Sequence, residues 1–135
     1  MATFSVFTYG TLQFPAVMQS VIGKDLKSMP ASLAGYQRFK FKNRTFPGIV
    51  KNKACSVDGM LYQDVDEEAL SCLDQFEDIM YERCLLEVQL NNEVKQAFVY
   101  VTKDEYKNYL SEKEWNLENF EKKYLKFYLR DISKL

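Results

Sequence analysis

The chain predicts an α+β fold: a small, mostly antiparallel β-barrel or curved sheet flanked by short helices, with a C-terminal helix. Three observations carry that expectation. Runs rich in β-branched and aromatic residues, several of them alternating, dominate the first hundred residues. Helical spacing of apolar residues takes over in the last twenty or so. No repeat, low-complexity stretch or linker divides the 135 residues, a length that suits one domain, 1–135.

The elements follow in order. Residues 3–9 are β-branched and aromatic and predict a strand that Gly10 ends. Pro15 is placed for a first helical turn and Gly23 for a C-terminal cap, so a short helix follows. Phe39 and Phe41 alternate with Arg38, Lys40 and Lys42, which predicts a half-buried strand over 33–42 with its basic residues in solvent. Phe46-Pro47-Gly48-Ile49-Val50 predicts a turn feeding a short strand. A further strand over 55–63 is expected to break near Asp58-Gly59. Asp64 and Glu67 have capping-box spacing ahead of a helix over 64–77. Residues 82–90 and 94–102 predict a hairpin about Asn91-Asn92-Glu93, with two helices after it. Leu117, Phe120, Tyr124, Leu125, Tyr128, Leu129 and Ile132 hold helical spacing, a stripe expected to pack on the chain's own sheet.

Composition narrows the chemistry. The apolar fraction is 47% and the aromatic fraction 15%, enough for a filled core. A net charge of -1 recruits neither nucleic acid nor an anionic membrane. There is no basic leader with a cleavage site and no apolar run of membrane-spanning length. Cys55, Cys72 and Cys84 are an odd count without C-x-x-C spacing, which fits free thiols in a reducing compartment; a cytoplasmic monomer is the expectation. The chain has no histidine. That excludes Ser-His-Asp and Cys-His nucleophile systems in their usual form and removes the commonest zinc ligand. Proton transfer falls to Glu, Asp, Lys, Tyr or Cys, and no metal is expected.

Two places could carry chemistry. Leu70, Leu73 and Glu77 fall at i, i+3 and i+7 of the predicted helix, which puts a carboxylate on the apolar face. Such a group must pair, find water or rise in pKa, and a value near neutrality is what a general acid–base needs. If the helix ends at about Asp74, Glu77 is instead a surface residue. Tyr9-Gly10-Thr11-Leu12 lies between strand and helix, where a glycine turn can aim successive N–H groups at an anion; an ordinary connecting turn reads the same way.

Taken together, the ordered segments Tyr9-Gly10-Thr11-Leu12, Phe46-Pro47-Gly48-Ile49-Val50, Gly59-Met60-Leu61-Tyr62, Leu73-Asp74-Gln75-Phe76-Glu77 and Tyr81-Glu82-Arg83 resemble the γ-glutamylcyclotransferase (AIG2-like) family over residues 4 to about 102. That family carries a YGTL opening, a Y/F-P-x-I/V segment, a V-x-G-x-L/V-Y strand and an L-D-x-F-E-G signature followed by Y-x-R. The resemblance implies conversion of a γ-glutamyl amide to 5-oxoproline and a free amine without metal or cofactor. It implies Glu77 as the acid–base residue, substrate binding by Tyr9, Gly10, Thr11 and Leu12, and Tyr81 as a pocket wall or hydrogen-bond donor. Arg83 is expected to be structural, paired with a carboxylate. The sequence departs from the pattern where Asp78 stands in place of the signature glycine, and the spacer from Glu77 to Tyr81 is short. Two other readings stay open: a binding or regulatory module that has the pocket without the chemistry, and a C-terminal helix that docks a partner.

Overall fold

The computed structural model describes residues 2–132. Strand β1 (Thr3–Thr8) pairs antiparallel with β3 (Pro47–Asp66), and β3 pairs along most of β2 (Ser28–Lys40). Strands β4 (Tyr81–Leu90) and β5 (Glu93–Thr102) form the expected hairpin. Asn91 takes φ 43 in its turn, a left-handed conformation that asparagine tolerates. Strand β2 meets β4 at Ser32 and Gln89, and β5 returns to lie parallel to β1 at Phe98 and Val6. The curved sheet therefore closes on itself in the order β1-β3-β2-β4-β5. The α+β expectation holds.

Strand alternation divides the core. Phe7, Leu33, Ile49, Val57, Leu61, Val88 and Val99, all from strands, form with Tyr9 one buried cluster that fills the sheet's concave side. Their neighbours of opposite parity, Val6, Tyr62 and Tyr100, form a second cluster with Leu12, Val17, Met18, Leu70, Leu73 and Val65, which an irregularity in β3 turns to the same side. That cluster glues helices α1 (Pro15–Ile22) and α2 (Glu67–Glu77) to the outer face. Gly23 caps α1 at φ 74 with its N–H on the Gln19 carbonyl, at 2.8 Å.

Several local expectations are corrected. The strand expected over 33–42 spans Ser28–Lys40, and the short strand expected to follow the turn at 46–50 and the strand expected over 55–63 are one strand of 20 residues that begins at Pro47. Asp58-Gly59 does not break it. Gly59 lies opposite Ala31 in the ladder, and a Cβ there would strike the Thr8 carbonyl oxygen and the Phe7 ring. The glycine thus serves a close approach of β1 rather than a turn. Asp66, not Asp64, caps α2, accepting from the Ala69 N–H at 2.8 Å. Asp64 instead sits at φ 62, where β3 has one more residue than β1 between the Phe4–Val65 and Val6–Tyr62 pairs. Arg38 is not simply solvated: it is half-buried, donates to the Tyr9 carbonyl at 2.7 Å and lies 5.4 Å from the Trp115 ring.

The C-terminal stripe packs on the chain itself. It is two helices, α3 (Leu117–Lys123) and α4 (Leu125–Ile132), separated at Tyr124. Phe120 is 1% exposed, and Leu125, Tyr128, Leu129 and Ile132 pack against the outer cluster. Residues 1 and 133–135 of the expected domain lie outside the described residues. Among the described residues the three cysteines are free and half-buried, and no helix is long and apolar enough to cross a membrane.

Candidate functional site

One cavity of about 410 Å³ opens where β1 ends against the C-terminal end of α2. Tyr9, Gly10, Thr11, Leu12, Glu77 and Tyr81 all line it. Residues 68 positions apart in the chain meet there because β1 and α2 pack on the same outer cluster.

The floor is the turn after β1. A single 3-10 turn, Thr11–Gln13, stands between Gly10 and α1. Its closing bonds run from Gln13 N–H to the Gly10 carbonyl and from Phe14 N–H to the Thr11 carbonyl, at 3.1 and 3.2 Å. The N–H groups of Thr11 and Leu12 precede those bonds and have no acceptor among the described residues. They are donors available to an anion in the cavity. The start of α1 adds nothing here, because it begins at Phe14-Pro15, outside the lining. Gly10 has φ -126, so no left-handed turn demands glycine; a Cβ would come within 2.9 Å of the Pro47 ring. Arg38 fixes the turn from behind through the Tyr9 carbonyl.

Glu77 ends α2 on the face of Leu70 and Leu73, so the phase argument holds. The residue is half-buried, and its carboxyl has no ion-pair or hydrogen-bond partner among the described residues. Burial pushes it from the usual 4.5 up to about 8. Asp78 has no part in that shift: it is exposed, and it ends the helix with its N–H on the Asp74 carbonyl. Its φ of 61 and ψ of -153 lie in a region that glycine occupies freely and other residues avoid.

Tyrosines wall the site, and their hydroxyls are engaged. Tyr9 donates to the Tyr100 carbonyl, and Tyr81 donates to the Pro47 carbonyl at 2.7 Å. Burial raises both phenols well above the ordinary tyrosine value, with the Glu77 charge adding to it. Tyr81 thus fits a wall whose oxygen still has a lone pair to accept with. Tyr100 donates to Asp74 at 2.7 Å, and Asp74 also takes Arg83 at 2.8 Å. Arg83 is therefore paired with a carboxylate, away from the cavity lining.

Sequence reasoning missed Tyr100 and Tyr128 as lining residues. Tyr128 comes from α4, and its hydroxyl lies 3.1 Å from Thr11 Oγ1. Burial, and less strongly the Glu77 charge, raise its pKa to about 12. Helical spacing identified Tyr128 only as part of an apolar stripe, and nothing local tells which stripe residue reaches a distant turn. Among the described residues no group of three or more His, Cys, Asp or Glu is placed to hold a metal. The arrangement can bind an anion at the turn, accept and return a proton at Glu77, and shield both with aromatic rings.

Comparisons with known proteins agree on one family. The model described as gamma-glutamyl cyclotransferase, AIG2-like, matches residues 6–117. AIG2-like protein C of Arabidopsis thaliana is 30% identical over 123 residues, covering 88% of this chain and 70% of that protein. A solution structure of an Arabidopsis thaliana protein superposes with a TM-score of 0.74 at 29% identity, over 99% of this chain and 82% of the other. A structure titled gamma-glutamyl cyclotransferase shares the fold, with a TM-score of 0.67 at 15% identity over 76% and 68% of the two chains.

Proposed function

The chain belongs to the gamma-glutamyl cyclotransferase, AIG2-like family, and from that premise we propose that it cyclises a γ-glutamyl amide to 5-oxoproline, with Glu77 as the acid–base catalyst. The observation that supports this best is an unpartnered carboxyl, pushed up to about 8, in the same cavity as the free N–H groups of Thr11 and Leu12.

The reaction follows from that arrangement. The turn holds the substrate's α-carboxylate, which brings the α-amine over its own γ-carbonyl carbon. A C–N bond forms and closes a five-membered ring. Reacting groups held in one folded molecule gain on the order of 7–11 kcal/mol from positioning. Ionised Glu77 takes the proton that the amine loses and returns it to the departing nitrogen, whose bond to carbon breaks. The products are 5-oxoproline and a free amine, and Glu77 ends as it began. Mass-spectrometric detection of 5-oxoproline across a panel of γ-glutamyl amino acids, amines and peptides tests the reading. Its absence with every substrate contradicts it.

A second reading, a binding module without the chemistry, is favoured by Asp78. A non-glycine residue at φ 61 directly after Glu77 puts strain in the turn that presents the carboxyl. Tight binding of γ-glutamyl compounds without product distinguishes it.

A further inference from the structure

The catalytic cavity does not end at Glu77. A groove of about 430 Å³ adjoins it, and Arg44, Met80 and Tyr106 line both. The rest of the groove's lining includes Phe41, Lys42 and Tyr109. We propose that this groove is the leaving-group subsite and that it selects an amine bearing both an aromatic side chain and a carboxylate, with Arg44 as the residue that reads the charge. The inference rests on the cyclotransferase reading above.

Charge points to the anion. The lining contains two cations and no acid. Neither Lys42 nor Arg44 has an acidic partner among the described residues. Lys42 is tied to the Asn108 carbonyl at 3.3 Å, while Arg44 reaches only its neighbour's carbonyl, Asn43, at 3.2 Å. An exposed guanidinium with most of its donors free suits a carboxylate, which it can hold with two parallel bonds.

The backbone under Arg44 is fixed. Phe41 N–H bonds the Phe46 carbonyl, Lys42 N–H the Tyr109 carbonyl and Trp115 Nε1 the Thr45 carbonyl, at 3.1, 2.8 and 2.7 Å. The side chain is therefore presented from a braced turn, a condition for selectivity.

The rings point to the aromatic part. Tyr106 and Tyr109 lie 5.8 Å apart in a tilted pair, and Tyr109 is 59% exposed. A half-buried Tyr106 beside an exposed Tyr109 offers an open apolar face to a third ring. Order along the site completes the placement. With the glutamyl carboxylate at residues 9–12 and the scissile amide at Glu77, the part beyond the amide has this groove as its continuation.

Three substrates separate the features: γ-glutamyl-phenylalanine, its phenylalaninamide counterpart and γ-glutamyl-alanine. Initial rates of 5-oxoproline release are measured with the wild type and with Arg44→Gln. Calorimetric binding of the same three to Glu77→Gln, with and without Arg44→Gln, runs alongside. The expected result is a roughly tenfold preference for the acid over the amide, and for phenylalanine over alanine, with Arg44→Gln bringing the acid-to-amide ratio close to one. An equal loss on all three compounds overturns the proposal, because Arg44 then reads the glutamyl part. So does the absence of any acid preference. If no compound gives 5-oxoproline, the cyclotransferase reading fails while the binding series still decides the groove: an acid preference erased by Arg44→Gln upholds it, and equal or unmeasurable binding of all three overturns it.

Discussion

Replacing Glu77 with glutamine should make the protein more stable, by an amount that grows with pH. The Glu77 carboxyl in the folded chain titrates at about 8, against 4.5 for an ordinary glutamate, because burial opposes its charge. Between those values the unfolded chain has released the proton while the folded chain keeps it. Raising the pH through that window therefore favours unfolding, at about 1.4 kcal/mol per pH unit. Stability is fully present below pH 4.5 and falls until pH 8, with a ceiling of about 5 kcal/mol on the total loss. Between pH 5 and 8.5 the part of that loss within reach is about 4 kcal/mol. Glutamine does not ionise, and all other groups cancel in the comparison. Urea unfolding at pH 5, 6.5 and 8.5 measures the difference, with the fluorescence of Trp115, 3% exposed, as the probe. The variant's advantage should grow by up to about 4 kcal/mol from the lowest pH to the highest. A flat difference would refute the reasoning, and an advantage that shrinks with pH would mean that a cation holds the carboxylate.

Other consequences follow from the same geometry. The enzyme-controlled limb of kcat/KM should rise roughly tenfold per pH unit toward a plateau above pH 8, since only the ionised carboxyl takes the amine proton; a rate independent of pH between 6 and 9 contradicts this. Asp78→Gly should raise stability by about 1 kcal/mol in chemical denaturation, because glycine adopts φ 61 without strain; a loss would show that the aspartate is tied down in some other way. Gly10→Ala should cost about 1–3 kcal/mol and depress turnover together, as its Cβ forces Pro47 from the cavity wall; a neutral melting temperature counts against it. Tyr128→Phe removes the hydroxyl beside Thr11 and should raise KM severalfold with little change in melting temperature, read by steady-state kinetics.

The fold and the core of the site were legible because their signals are local. The Leu70, Leu73 and Glu77 phase survives because α2 does run to Glu77. Pro15 and Gly23 bound α1 as their backbone preferences require. What the sequence concealed depends on distant contacts. Gly59 reads as a turn residue and is a point of close approach to Thr8, 51 positions away. Arg38 reads as one charge of a solvated face, yet folds inward to the Tyr9 carbonyl because Trp115, far along the chain, gives it a ring to lie against. Tyr128 reads as one member of an apolar stripe and reaches the turn at Thr11 from the C-terminal helix. The cap went to Asp66 rather than Asp64 because a bulge extends β3 by a further pair with Thr3.

The most direct test of the central claim compares wild type and Glu77→Gln on a γ-glutamyl amide that the wild type converts, measuring turnover by 5-oxoproline release and affinity by calorimetry. The account predicts a turnover loss of at least about a hundredfold with affinity nearly unchanged. Near-normal turnover in the variant would contradict it.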